Sequence, residues 1–257
     1  MSYQFYCLSF KNEIRRINMC RRFNQVNIDC IFYEGVSFED DRIKKHVGLS
    51  DHTKRTFSCA YGHLDMITKF YYETDKDYGI FCEDDIYIHK ELAIDLPSII
   101  SDNKFDILLL SYLLPFTVRS EYIGFELKAG SPKTGKYKYH NYPDDTWGAQ
   151  MYMMTREHAK YVIDTYSHDY ADRTLIQLPI NQLKCNLPVE DCSVSNVQRC
   201  KLTPFSSDWL FTKDGNRALI APILATEDNQ SFYTDLGQRE FHKKCFLAHF
   251  DDATFIV

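Results

Sequence analysis

Tyr78-Gly79-Ile80-Phe81-Cys82-Glu83-Asp84-Asp85-Ile86-Tyr87-Ile88 is the stretch on which the fold turns. A short apolar run, Ile80–Cys82, leads straight into three carboxylates. Run and acids together predict a buried strand with charge at its mouth. Burying carboxylates is costly unless something cationic shares the space. A hard divalent cation is the usual occupant, since it takes oxygen ligands and brings a phosphate-bearing substrate with it. In isolation Glu-Asp-Asp reads as a solvated turn. Directly after a buried strand, however, the acids fall at the carboxyl edge of a sheet, where open α/β proteins place their ligands. On an extended chain Glu83 and Asp85 point to one side. They could thus share a metal while Asp84 faces elsewhere or binds a ribose hydroxyl. Ile86-Tyr87-Ile88 then resumes as strand.

Toward the N-terminus, Gln4–Phe10 reads as an opening buried strand. Glu13–Val26 reads as a helix, with Met19, Phe23 and Val26 at i, i+4, i+7 and arginines on its other faces. Ile28–Tyr33 reads as a second strand. This β-α-β rhythm argues for a parallel sheet covered by helices. Residues 37–54 read as a loop, and Ser58–Glu73 as a helix with Leu64, Ile67 and Tyr71 on one face. Toward the C-terminus, Phe105–Ser111 is a fully buried strand, and 115–145 is a long polar connection of the kind that covers a site or stays open. Thr146–Thr155 is a strand and Arg156–Thr165 a helix. Residues 166–207 are irregular, Asp208 opens the final block, and Ala218–Leu224 is an edge segment or loop because of Pro222. No internal repeat or linker divides the chain, which is expected to be a single α/β domain over 1–257.

The 257 residues are 44% hydrophobic and 15% aromatic, enough for a packed core, and the net charge of −6 argues against nucleic acid as a partner. Nine cysteines, at 7, 20, 30, 59, 82, 185, 192, 200 and 245, form no C-x-x-C pair and are expected to be reduced. The N-terminus lacks the basic and apolar regions of a signal peptide, and no apolar run reaches the ~20 residues of a spanning helix. The expected location is cytoplasmic, or the host cytoplasm if the source is a virus. Gly130-Ser131-Pro132-Lys133-Thr134-Gly135-Lys136-Tyr137 nearly spells a P-loop, but Tyr137 cannot place a small hydroxyl on magnesium and no apolar strand precedes it. A flexible basic loop is expected there. G-x-S-x-G, H-E-x-x-H and G-x-G-x-x-G are all absent. His63, alone, reads as a packed or capping histidine.

Four stretches in order give the chain a resemblance to glycosyltransferase family 25, the lipopolysaccharide and collagen glycosyltransferases, and to related enzymes of large DNA viruses. Tyr6-Cys7-Leu8-Ser9 with Arg15-Arg16 is similar to the family's opening strand and arginine-bearing helix start. Ser58-Cys59-Ala60-Tyr61-Gly62-His63-Leu64 is similar to its G-C-x-x-S-H helix, with Ser58 for the glycine and Gly62 for the serine. Phe81–Ile86 is close to its L-E-D-D-[IV] segment, and Thr146–Tyr152 to its T-x-G-x-x-[AG]-Y strand. Ser207-Asp208-Trp209 and Glu227–Ser231 are shorter matches.

The resemblance implies a GT-A fold, the nucleotide-diphospho-sugar transferase fold, with a mostly parallel central sheet, residues 1–112 forming the nucleotide-sugar half and 113–257 the acceptor half. It also implies a nucleotide-sugar donor, most simply a UDP-sugar of galactose, glucose or xylose. Mn²⁺ (or Mg²⁺) would be held by Glu83 and Asp85, and transfer would invert the anomeric carbon. Ser9, Arg15 (or Arg16), His63 and Asp84 would contact the donor. Asp208 would be the catalytic base, with Asp145 and Asp228 as rivals. Trp147 and Gln150 would meet an acceptor glycan, glycoprotein or lipid-linked saccharide, although Trp147 could equally be core. A nucleotidyltransferase, a metal phosphohydrolase or a non-catalytic sugar-binding protein could use the same acids.

Overall fold

A computed structural model describes residues 1–46, 49, 51–132, 134–143, 146–166, 206–212, 214–228 and 236–257. Strand β1 (Tyr3–Ser9) is followed by helix α1 (Glu13–Gln25), whose first turn is capped by the Asn12 side chain accepting from the Arg15 backbone N–H. Then come β2 (Cys30–Glu34), a short α2 (Asp41–Lys44) and the long α3 (Asp51–Glu73). Strand β3 (Tyr78–Glu83) ends on the first acid of the triplet. After it come β4 (Ile86–His89), α4 (Leu92–Asp102), β5 (Ile107–Leu109), β6 (Lys138–His140), β7 (Met151–Thr155) and α5 (Arg156–Thr165). Last are α6 (Ser207–Leu210), β8 (Arg217–Ala221), β9 (Ala225–Glu227), α7 (Leu236–His249) and β10 (Phe255–Ile256).

Seven strands form the central sheet in the order β2-β1-β3-β7-β5-β8-β6. Strands β2, β1, β3, β5 and β8 run one way, and β7 and β6 the other. This is the expected α/β class, a mostly parallel central sheet flanked by helices. Period-2 alternation sorts the core into two layers. Phe5, Cys7, Ile80 and Cys82 face the side covered by α1 and α4. Tyr6, Phe81, Tyr152 and Met154 face the side covered by α3 and α5. Chain order therefore reverses at β1: the chain leaves it by α1 for β2 on one side and returns over the opposite face by α3 to β3 on the other. The carboxyl ends of β1 and β3, with Leu8 registered against Glu83, form the switch point at which α/β sheets bind ligands.

Several sequence expectations need correction. Ile86–Ile88 does form a strand, but in a second, three-stranded sheet, β10-β4-β9, so the acids sit at a junction between two sheets. Helix α3 begins at Asp51, inside the expected loop. Residues 137–142 do not hang free. Strand β6 pairs with β8, Tyr137, Tyr139, His140 and Tyr142 are buried, and Lys136 is ion-paired with Glu91 and Asp95 of the α4 region. Strand β8 lies between β5 and β6, and Pro222 falls just past its end, so the expected edge segment is interior. Most of the irregular 166–207 stretch, with Cys185, Cys192 and Cys200, lies outside the described residues.

The aromatic layer under the switch point is tight. Tyr6 stacks on Phe81 with centroids 5.6 Å apart, and Phe70 of α3 meets Phe81 edge-on at 5.8 Å. Gly79 makes room for them. A Cβ there would lie 2.5 Å from Phe81 Cζ and 3.0 Å from Phe70 Cδ1. Gly79→Ala is expected to lower stability by about 1–3 kcal/mol through overpacking, read as a shift in denaturant midpoint. An unchanged midpoint would mean that α3 packs less closely on β3 than described.

Candidate functional site

The site is assembled at the carboxyl edge from the ends of β1 and β3 and the start of α1. Arg15, one turn into α1, directs its Nη1 to Asp84 Oδ1 at 3.3 Å and to Asp85 Oδ2 at 3.2 Å. Ser9, buried at the end of β1, hydrogen-bonds Asp84. Arg16 instead points outward, 4.0 Å from Glu34. Asp85 is the most burdened acid. Burial and then the nearby Glu83 and Glu227 push its carboxyl well above the ordinary range, against Arg15. Its Oδ1 is buried with no hydrogen-bond partner. Asp84 is raised too, by burial, with Ser9 and Arg15 opposing. In the other direction, Asp85 and Asp84 hold the Arg15 guanidinium above its usual value despite its burial.

Glu83 faces α3. Its Oε1 lies 3.3 Å from His63 Nε2 and 3.4 Å from Cys59 Sγ. Burial alone would raise Glu83, but its interactions with His63, Cys59 and Arg15 outweigh that and hold it below its ordinary value. His63 is fully buried, and its Nδ1 meets the Tyr152 hydroxyl at 2.9 Å. Expected to contact a donor, His63 instead has both ring nitrogens on protein groups, Tyr152 and Glu83 of the acid triplet. The strand ends at Glu83, so strict alternation stops there. Asp84 and Asp85 then share Arg15 while Glu83 turns to the helix.

Asp208 lies in the helical turn α6, and its Oδ1 accepts from the Ala149 N–H at 2.9 Å. Burial and the neighbouring Glu83 raise its pKa to about 6. Ser207, beside it, is 3.2 Å from Cys59 Sγ. On the other flank, the Asp228 N–H donates to the Asp85 carbonyl at 2.7 Å, and its carboxylate lies 3.9 Å from buried Arg22. Glu227 is bonded to His242 of α7. Gln150 is buried with its Oε1 unpartnered, and its carbonyl accepts from the Glu83 N–H at 3.1 Å. Trp147 is half-buried, and its backbone bridges to Leu113.

Ser9, Arg15, Asp84 and Asp85 thus form one cluster, and Cys59, His63 and Glu83 a second beside it, the two joined by the backbone of the acid triplet. Asp208 stands beside them, next in the chain to Ser207, which contacts Cys59, and Gln150 joins through the Glu83 backbone. Asp145 lies outside the described residues, as do residues 229–231 of the last motif. Sequence reasoning missed the parts played by Cys59, Tyr152, Arg22 and Glu227. Cys59 could have been found, since it precedes His63 by four residues on one helical face. A surface depression lined by Tyr33, Asp65, Thr68, Lys69, Tyr72 and Glu73 sits along the outer side of α3 and includes none of these groups.

No family model matches the sequence, and no curated protein matches it. Among solved structures the chain is similar to A197 from STIV, at 12% identity over 88% of this chain and 84% of that one, with a TM-score of 0.41. It is similar to a mannose-1-phosphate geranyltransferase from Thermus thermophilus at 10% identity over 86% and 74% (TM-score 0.43). A third likeness is to a glycosyltransferase involved in the glycosylation of the major capsid of PBCV-1, at 11% identity over 93% and 98% (TM-score 0.36). All three are remote and concern the arrangement of strands and helices.

The raised Asp208 carboxyl links stability to pH. With a pKa of 3.8 in the unfolded chain and about 6 in the folded one, it holds more proton folded than unfolded across that window. Its contribution therefore falls as pH rises from about 4 to 6 and is level above. Relative to the wild type, Asp208→Asn is expected to gain on the order of 2–3 kcal/mol across that window, measured as denaturant midpoints in EDTA. Parallel pH curves for the two proteins would contradict the burial described.

Proposed function

We propose that this chain is a metal-dependent, inverting glycosyltransferase that moves a sugar from a nucleotide-sugar donor, a UDP-sugar first among them, to a hydroxyl of a glycan or glycoconjugate. The observation that carries this is Asp85 Oδ1, a buried carboxylate oxygen without a partner at the switch point of the sheet. Such an oxygen is the donor a hard cation takes, so it fits Mn²⁺ or Mg²⁺. Asp85 would hold the ion, and Glu83, whose Oε1 is engaged by His63 and Cys59, would join through its other carboxylate oxygen. The ion would supply positive charge opposite the diphosphate leaving group.

The chain's own groups would do the rest. Arg15 presents a guanidinium at the same edge, suited to a diphosphate, and the N–H groups opening the 13-residue α1 add positive potential there. Asp84, steadied by Ser9, would accept from a donor hydroxyl, and His63 holds Glu83 in place. Asp208, with a pKa of about 6, is tuned for a base working near neutrality. It would take the proton from the acceptor hydroxyl as that oxygen bonds to the anomeric carbon. The bond from that carbon to the diphosphate oxygen breaks on the opposite face, and the electron pair leaves with the nucleotide. Trp147 offers a ring face for a sugar, and the unpartnered Gln150 Oε1 can accept from a sugar hydroxyl. Residues 1–112 would form the donor half and 113–257 the acceptor half.

A screen of nucleotide sugars for Mn²⁺-dependent hydrolysis or transfer tests this. Asp85→Ala is expected to cost about 10²–10³ in kcat with the fold intact. Asp208→Asn is expected to cost about 10²–10⁴, and the wild-type rate should fall on the acid side with a midpoint near the Asp208 value of about 6. Full activity in EDTA or in Asp85→Ala would contradict the proposal. Release of pyrophosphate without sugar transfer would point to nucleotidyl transfer instead.

A further inference from the structure

We propose that Cys59, His63 and Glu83 form a second cation site, which meets the Asp85 site only at Glu83 and takes zinc. Their ligand atoms all lie within 4.8 Å of one another. Glu83 Oε1 is 3.4 Å from Cys59 Sγ and 3.3 Å from His63 Nε2. A tetrahedral zinc with ordinary bonds to sulfur, nitrogen and oxygen has ligand–ligand edges of roughly 3.3–3.6 Å. The two edges that meet at Glu83 already have that length, and the Cys59–His63 edge lies within 4.8 Å, so a small rotation of either side chain completes three corners of such a site. Cys59 and His63 stand one helical turn apart on α3, and Glu83 ends the strand that α3 packs against.

The chemistry selects the metal. A thiolate with an imidazole favours zinc, whereas manganese and magnesium prefer oxygen ligands, such as the Asp85 carboxylate. The supporting shell is present as well. Ligation through Nε2 needs the proton on Nδ1, and Nδ1 faces the Tyr152 hydroxyl at 2.9 Å, which can accept it. Phe211 and Tyr152 wall the ring with centroids 6.4 and 5.6 Å from that of His63. The Ser207 hydroxyl, 3.2 Å from Cys59 Sγ, borders the fourth position, which it or a water would fill. On binding, the Cys59 thiol gives up its proton to solvent and its sulfur lone pair enters the bond to zinc, so uptake releases acid. Glu83 is common to both sites, and zinc here would hold its Oε1 where it already lies, against α3.

Zinc loading of the full chain tests this without any substrate. Protein incubated with excess zinc chloride and desalted is expected to retain one zinc per chain by mass spectrometry of the metal. Asp85→Asn should retain it too, whereas Cys59→Ser and His63→Ala should lose it. Cobalt substitution should give the near-ultraviolet band of a single thiolate ligand. If the wild type retains no zinc, or Cys59→Ser retains as much as the wild type, the site is wrong. Should Cys59→Ser fail to fold, the wild-type cobalt spectrum decides. No thiolate band, or the band of several thiolates as from Cys185, Cys192 and Cys200, would overturn the assignment. Neither readout depends on sugar transfer, so failure here and failure of the proposed activity are distinguishable.

Discussion

The constraint on which the rest depends is the concentration of buried carboxylate at the end of β3. Glu83, Asp84, Asp85, Asp208, Glu227 and Asp228 crowd one edge, and Arg15 and Arg22 are the guanidinium groups that meet them. Removing one partner from such a cluster leaves an uncompensated charge, a loss of several kcal/mol. The local structure is arranged around that debt. Arg15 spans two acids, His63 and Cys59 take the third, and the Ala149 N–H serves Asp208. Even so, Asp85 keeps a buried oxygen without a partner. An arrangement that tolerates this much unneutralised charge is suited to receive a cation.

The fold supplies the position. Switching sides at β1 sends α1 and α3 to opposite faces, so the start of α1 and the end of β3 converge at one edge. The aromatic layer of Tyr6, Phe70, Phe81 and Tyr152 stiffens the floor beneath it, each pair adding about 0.5–1.5 kcal/mol beyond burial. Tyr152 contributes twice, once to that layer and once through its hydroxyl on His63. Core and site are coupled through this residue.

Much of this was legible in the sequence. The β1-α1-β2 unit, β3 with its acids, and α5 follow from periodicity, and Arg15 was named with its neighbour Arg16 before the structure separated them. What escaped has physical reasons. Alternation in Ile86–Ile88 shows that a segment is a strand but not which sheet it joins. Pro222 weakened the case for β8 because it lies one residue past the strand's last hydrogen bonds. The polar 115–145 stretch concealed Tyr137, Tyr139 and Tyr142, whose spacing of two to three marks a packed segment. Asp208 was legible only as the opening of the final block, because a four-residue turn has no period of its own. Pairings across α3, such as Cys59 with Glu83, depend on tertiary contact between a helix and a strand 24 residues apart and leave only an i, i+4 trace.

An acid cluster that accepts a cation, which then accepts a nucleoside diphosphate, must bind that diphosphate through both. Calorimetric titration of UDP into the protein with Mn²⁺ and with EDTA, for the wild type and Asp85→Asn, tests this most directly. Binding that needs both Mn²⁺ and Asp85, and weakens at least about tenfold without either, is the predicted result, a loss of about 1.4 kcal/mol or more. Equal UDP affinity in EDTA and in the variant would contradict it.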